Sequence, residues 1–409
     1  MTQIADSAHG AVPSTYDDGL AKRNAFVLSA ASAVGGANAS IMIGSAGLVG
    51  MMLAPDPGLA TLPVTSFVVG TAAASAPAAL LMKRVGRRDG FLLGATLGIV
   101  AGLVAAMALR SGTFALFCLA AFIAGAYGAF VQQYRFAAAD TASPAFKPKA
   151  ISWVLAGGVL AGVIGPQTVI HTQALDAAHP FAATYLAQGL LALVACGILL
   201  WLRVPPPKEE VVKDTGRPLG AIVRTPAFIV AALCGMAAYG LMSLVMTAAP
   251  IAMVGCGHST TEALLGIQWH VIAMFGPSFF TGSLIARYGV ERITGLGFIL
   301  LGASAALALT GLELAQFWGA LVLLGLGWNF GFIGATTMIA RLHTPAEQGK
   351  VQALNELLVT GTVAVASLSS GLVLDAFGWA WINIAALPVV VLALAGLIWR
   401  RRSLVAAPA

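Results

Sequence analysis

Twelve stretches of roughly 20 or more mostly apolar residues follow one another along this chain, separated by short polar turns. A run of that length crosses the hydrocarbon core of a bilayer as a helix, at about 1.5 Å per residue over about 30 Å. The runs are continuous rather than alternating, which favours helices over the strands of a membrane barrel. They fall near 25–53, 59–82, 91–110, 113–139, 149–172, 180–203, 226–254, 261–286, 293–312, 315–340, 350–374 and 379–399. Only 9% of the 409 residues are charged, 59% are hydrophobic and 47 are glycine. A soluble domain carries about a quarter charged residues, so the composition excludes that class. The expectation is an all-α membrane protein of twelve transmembrane helices.

The longest polar connection, "RVPPPKEEVVKDTGRPLGAIVR", follows the sixth run and divides the chain into two sets of six. The organisation read from this is a tail over 1–24, a six-helix bundle over 25–203, a linker over 204–225, a second bundle over 226–399 and a tail over 400–409. The first residues lack the apolar segment of a signal peptide and read as a polar tail. Of the 22 Lys and Arg, all but Arg110 and Arg135 fall on one side of the spans. The positive-inside bias therefore places both termini and the linker in the cytoplasm. The net charge of +6 is explained by this bias toward the lipid bilayer's inner face, with no nucleic-acid partner required. Four cysteines (Cys118, Cys196, Cys234, Cys256) show no CxxC pairing and no disulfide framework.

An internal repeat ties the halves together. "LLMKRVGRRDG" follows the second span and "GSLIARYGVER" the eighth, with Gly86 matching Gly289. "ASPAFKPKA" and "HTPAEQGKV" follow the fourth and tenth, so Pro144 matches Pro345 and Lys149 matches Lys350. Such a repeat is what two parallel six-helix bundles leave in sequence, with the substrate path between them. Over nearly its whole length the chain resembles the major facilitator superfamily. Arg84, Gly86, Arg87 and Arg88 match the loop motif that family carries after its second span, while Ala79 and Lys83 replace a Gly and an Asp. The resemblance implies two pseudo-symmetric six-helix bundles, a gating role for that loop and a place in the bacterial cytoplasmic membrane.

Ionisable groups at membrane depth are costly and mark pathways. Arg135 and Asp140 lie five apart in "QQYRFAAAD", about 140° around the helix, and Glu356 lies in "VQALNELL". They are read as an inner-side network that gates the halves or couples transport to protons. His171, near an outer end, reads as interfacial.

Two methionine motifs stand on consecutive spans. Met242 and Met246 are four apart in the seventh, and His270 and Met274 four apart in the eighth. Chance predicts about 0.35 of the first pattern and about 0.18 of the second in a chain of this composition. Each pair shares a helical face, and their depths agree within several Å. Three thioethers and an imidazole form a soft, neutral ligand set suited to Cu(I). Met253 and Cys256 extend the same face outward, and alignment of the halves sets Met42 against Met246. The motifs resemble those of the CcoA-type copper importers, a bacterial branch of the superfamily. That resemblance implies copper ion as the transported substrate, with no cofactor. It further implies ligation by Met242, Met246, His270 and Met274, delivery to a cytoplasmic chaperone or cytochrome oxidase assembly factor, and function as a monomer.

The other reading is a facilitator carrying a small organic solute, a vitamin or drug-like molecule, possibly with protons. His270 would then bind the solute, with Tyr127, Tyr134, Tyr239, Trp269 and Trp328 as candidate pocket rings. No GxSxG, HExxH, Walker A or dinucleotide glycine motif points to an enzyme.

Overall fold

A computed structural model describes residues 17–140, 142–143, 145–204, 216–344 and 346–406, the last six as backbone only. Residues 1–16, 205–215 and 407–409 of the expected tails and linker, and the repeat prolines Pro144 and Pro345, lie outside the described residues. The remainder is almost entirely helical. Eleven single helices are long and apolar enough to cross a membrane, and one bent pair makes a twelfth span. In order these are Asp18–Leu53, Pro57–Val85, Arg87–Ser111, Phe114–Asp140, Lys147–Thr172 and Ala182–Leu199 in the first half. The second half holds Pro226–Gly255, Thr260–Phe275 with Ser278–Tyr288, Val290–Ala308, Leu314–Ala340, Gln348–Phe377 and Trp379–Arg400.

Local chemistry sets several of the ends. The Asp17 carboxylate accepts from the Leu20 N–H and starts the first helix. Thr225 does the same for the seventh, and Ser259 with Glu262 forms a reciprocal capping box at the eighth. Gly86 and Gly289 end their helices at φ +90° and +89°, a region costly for any residue with a Cβ. The equivalent glycines of the repeat therefore make the same turn.

Within each half the helices approach closely where the sequence supplies small residues. A Cβ at Gly70 would strike the Phe122 carbonyl, and one at Gly125 would strike the Phe67 carbonyl, so the second and fourth spans lock at reciprocal glycines. Lipid tails compete equally for apolar side chains, so this backbone-level fit is what holds such helices together. The first half is also tied together internally at the end bearing the termini. Asn24 donates to the Arg203 carbonyl at 2.7 Å and accepts from its N–H at 3.2 Å, joining the first span to the sixth.

Each half staples the loop after its fourth span to the residues at or before the start of its own first membrane helix. In the first half Asp18 accepts from the Ser143 N–H and hydroxyl, at 3.1 and 2.9 Å. In the second half Arg217 donates through Nε and Nη2 to the two Glu347 oxygens, at 2.8 and 2.9 Å, and Glu347 also accepts from Thr344 N–H. The Arg217 hydrogen bonds, with the Thr344 N–H second, hold the Glu347 carboxyl well below the usual carboxylate range.

The eighth span is broken. Its two segments meet at 42° around Gly276 and Pro277. A freed carbonyl inside a membrane costs several kcal/mol unless it finds a donor. Asn329 of the tenth span supplies that donor, giving one N–H to the Met274 carbonyl and another to Ser278 Oγ, each at 2.7 Å. Thr281 in turn donates to Asn329 Oδ1 at 2.6 Å.

Two outcomes are expected from this architecture. Gly125→Val should destabilise the purified full-length protein by about 1–3 kcal/mol, read as a lowered unfolding temperature in detergent; an unchanged temperature would refute the close approach. Because the folded Glu347 pKa is depressed, its contribution is present above the unfolded value of about 4.3 and is lost as pH falls through the folded value. The melting-temperature gap between wild type and Glu347→Gln should thus hold from about pH 8 to about pH 5 and narrow below about pH 4. A gap that widened on acidification would contradict it.

Candidate functional site

The two halves meet at the end remote from the termini. Thr65 donates to Ser367 Oγ at 3.3 Å, and Gln167 Nε2 donates to Gln268 Oε1 at 2.9 Å. Gly371 lies against Thr61 and the Gly58 carbonyl, and Gly47 lies against Ile251. These pairs join the second span to the eleventh, the fifth to the eighth and the first to the seventh. At the opposite end Arg135 and Glu356, from different halves, are both exposed. The space between the bundles thus opens on the side of the termini and is sealed on the other.

An aromatic cluster stands beside that space in the second half. Trp328 and Phe332, four apart on the tenth span, stack with centroids 5.1 Å apart and planes 17° from parallel. Tyr239 of the seventh span meets both edge-on, at 5.4 and 5.0 Å, and Phe275 of the eighth meets Trp328 at 5.9 Å. Trp328 is only 6% exposed, and its Nε1–H has no acceptor among the described residues. A buried donor without a partner costs about 1–3 kcal/mol, so the cluster carries an unmet polar demand within an apolar wall. Arg135 of the fourth span and Glu356 of the eleventh, one from each half, both act electrostatically on Tyr239. Arg135 also caps the Phe136 ring, 4.8 Å from its centroid.

The charged residues read from the sequence separate into two groups. Asp140 pairs with Arg87 at 3.0 Å, tying the motif loop to the fourth span within one half. Arg135 instead faces Glu356 across the halves, with no ion pair between them among the described residues. Arg84 and Arg88 are exposed beside Gly86. His171 is exposed at its helix end.

The four residues of the methionine motifs are packed in the second half. Met242, Met246 and Met274 are 2%, 5% and 8% exposed and belong to its apolar core, with Met253 buried beside them. His270 is fully buried. Its Nδ1 meets the Leu321 carbonyl at 2.8 Å, bracing the eighth span on the tenth, while Nε2 has no partner among the described residues. Met42 is buried in the core of the first half. Cys256 is an exposed free thiol lining a cleft of about 370 Å³, at the end remote from the termini, with Met51, Asp375 and Trp379. Of the rings named from sequence, Tyr239 and Trp328 come together. Tyr127 and Tyr134 are sealed in the first half's core, and Trp269 is 46% exposed. Phe275 and Phe332 were not singled out by the sequence. The i, i+4 spacing of Trp328 and Phe332 in "GWNFGF" is the signal that would have marked one of them.

Comparison with known proteins gives a consistent family. A Major Facilitator Superfamily model matches residues 25–278 and 270–409. The chain is 49% identical over 386 residues to the riboflavin transporter RfnT of Brucella anthropi, covering 94% of this chain and 97% of that one. It is 28% identical to YddS of Bacillus subtilis, an uncharacterized transporter of MFS type, covering 88% of each. The nucleoside transporter NupG has the same fold, with a TM-score of 0.71 at 13% identity over 92% of this chain and 98% of that one.

The relation to RfnT overturns the expectation of copper import, and with it copper ion, a copper chaperone and an oxidase assembly factor as partners. The physical reason for the misreading is that i, i+4 is also the spacing by which any helix fills a core face. The vitamin-carrier alternative is the reading the relative favours.

If the sealed end is a gate, joining it should stop transport. Thr65→Cys with Ser367→Cys, in a Cys256→Ser chain, should form a disulfide under oxidant, because the two hydroxyl oxygens already lie 3.3 Å apart. Solute uptake should then be lost and return with reductant. Full uptake by a completely cross-linked chain would contradict separation of the halves at this end.

Proposed function

The chain belongs to the Major Facilitator Superfamily, a transporter family, and from that premise we propose that it carries riboflavin or a closely similar flavin across the bacterial inner membrane, in which it is a multi-pass protein. The observation that carries the reading is the aromatic wall of Tyr239, Trp328, Phe332 and Phe275 beside the space between the bundles.

A flavin presents a flat fused ring with an apolar edge, a polar edge of carbonyls and ring nitrogens, and a hydroxylated side chain. A wall of stacked and edge-on rings suits the flat face. Arg135 and Glu356, near Tyr239, offer a donor and an acceptor to the hydroxyls. The high identity to RfnT, over nearly the full length of both chains, supports the same cargo.

Transport follows from the two ends. With the termini cytoplasmic, as the Lys and Arg bias implies, the arrangement sealed at Thr65–Ser367 and Gln167–Gln268 faces inward and is the state that releases cargo. Rocking of the halves would part these contacts and close the other end. The eighth span contributes a bend at Gly276 and Pro277 next to Phe275, so its two segments need not move as one rod.

The test is accumulation of radiolabelled riboflavin by a bacterial strain unable to make or import it. Expression of the full chain should restore uptake and growth at low riboflavin. Tyr239→Ala and Trp328→Ala should each raise the half-saturating concentration by about tenfold, the loss of roughly 1.5 kcal/mol of ring contact. A chain that reaches the membrane without restoring uptake would sink the proposal, as would alanine variants indistinguishable from wild type.

A further inference from the structure

Arg135 and Glu356 approach one ring, Tyr239, from opposite halves. Arg135 projects from the last turns of the fourth span and Glu356 from the first turns of the eleventh, and both side chains are exposed. Each lies within coulombic range of the other and of Tyr239. The seventh span is pressed along the eleventh here. A Cβ at Gly235 would meet Val359 and one at Gly240 would meet Thr362, which fixes Tyr239 beside the helix that carries Glu356. Asp140, the other acid on the fourth span, is engaged by Arg87 at 3.0 Å, which leaves Glu356 as the carboxylate that faces Arg135.

The wall of rings is therefore flanked by one cation and one anion held apart, a locally neutral pair. A hydroxyl both donates and accepts, so a polyol chain lying between them satisfies both. A phosphate ester only accepts. It gains from Arg135, meets like charge at Glu356, and loses hydration that the single cation does not replace.

Resting on the flavin-carrier reading, we infer that the opposed Arg135 and Glu356 set the charge selectivity of the site: it admits the uncharged flavin and turns away its phosphate ester. Glu356 is the specificity-determining residue, because it cancels the attraction that Arg135 alone would offer a phosphate.

The experiment is competition against radiolabelled riboflavin uptake into proteoliposomes containing the full-length chain. Unlabelled riboflavin and riboflavin 5′-phosphate serve as competitors, and the ratio of their half-inhibitory concentrations is read within each variant, so a slower variant does not distort the result. In wild type the ester should compete about 100-fold more weakly than riboflavin. Glu356→Gln should shrink that ratio to about tenfold or less, and Arg135→Gln should not shrink it. A wild-type ratio near one overturns the inference and leaves the carrier reading standing. A Glu356→Gln ratio equal to wild type overturns the role of that carboxylate. Wild-type liposomes with no riboflavin uptake overturn the carrier reading on which the inference rests.

Discussion

In hydrocarbon no water stands ready for a freed backbone carbonyl, so every departure from regular helix has to bring its own donor. The structure depends on that constraint at its most irregular place. Pro277 breaks the eighth span, and Asn329 crosses from the tenth to take up the Met274 carbonyl and Ser278 Oγ. The same crossing brings the tenth span near enough for Trp328 to meet Phe275. A backbone requirement and the aromatic wall are two faces of one helix contact. His270 serves a related purpose a turn away, its Nδ1 set on the Leu321 carbonyl.

The site takes its form from where the halves do and do not touch. Small residues and short polar side chains (Gly47, Gly371, Thr65, Ser367) close one end, where backbones come within reach of each other. At the other end the long charged side chains of Arg135 and Glu356 are exposed, with no ion pair between them among the described residues. Short contacts on one side and extended, separated ones on the other are what an alternating carrier needs if the two ends are to exchange roles. The loops that close each half on itself, Asp18 with Ser143 and Arg217 with Glu347, keep each bundle a unit while the interface changes.

Much of the fold was legible because bilayer thickness imposes a length that composition cannot hide. The repeat was legible as well, since Gly86 and Gly289 recur where the backbone takes a positive φ. Helix ends were read less well. The first helix starts at Asp18, among polar residues, because Asp17 caps it, and hydropathy does not register a cap. The site was read only in part. Tyr239 and Trp328 stood among the named rings, but contacts across three helices leave no single spacing to find. Asp140 and Arg135, about 140° apart on one helix, were taken as one network, and each turned to a different neighbour. The methionine spacing was real and statistically uncommon. It could not distinguish a ligand face from a packed one, and His270 meets a backbone carbonyl that no side-chain pattern reveals.

The claim at the centre of this account is that a flavin ring lies against Tyr239 and Trp328. Flavin emission is quenched when the ring stacks on tryptophan or tyrosine, so titrating riboflavin with the purified full-length protein in detergent reads that contact directly. The account predicts saturable quenching that is reversed by excess non-fluorescent flavin analogue and is much weakened in Trp328→Leu. Riboflavin emission that stays unchanged as folded wild-type protein is added would contradict it.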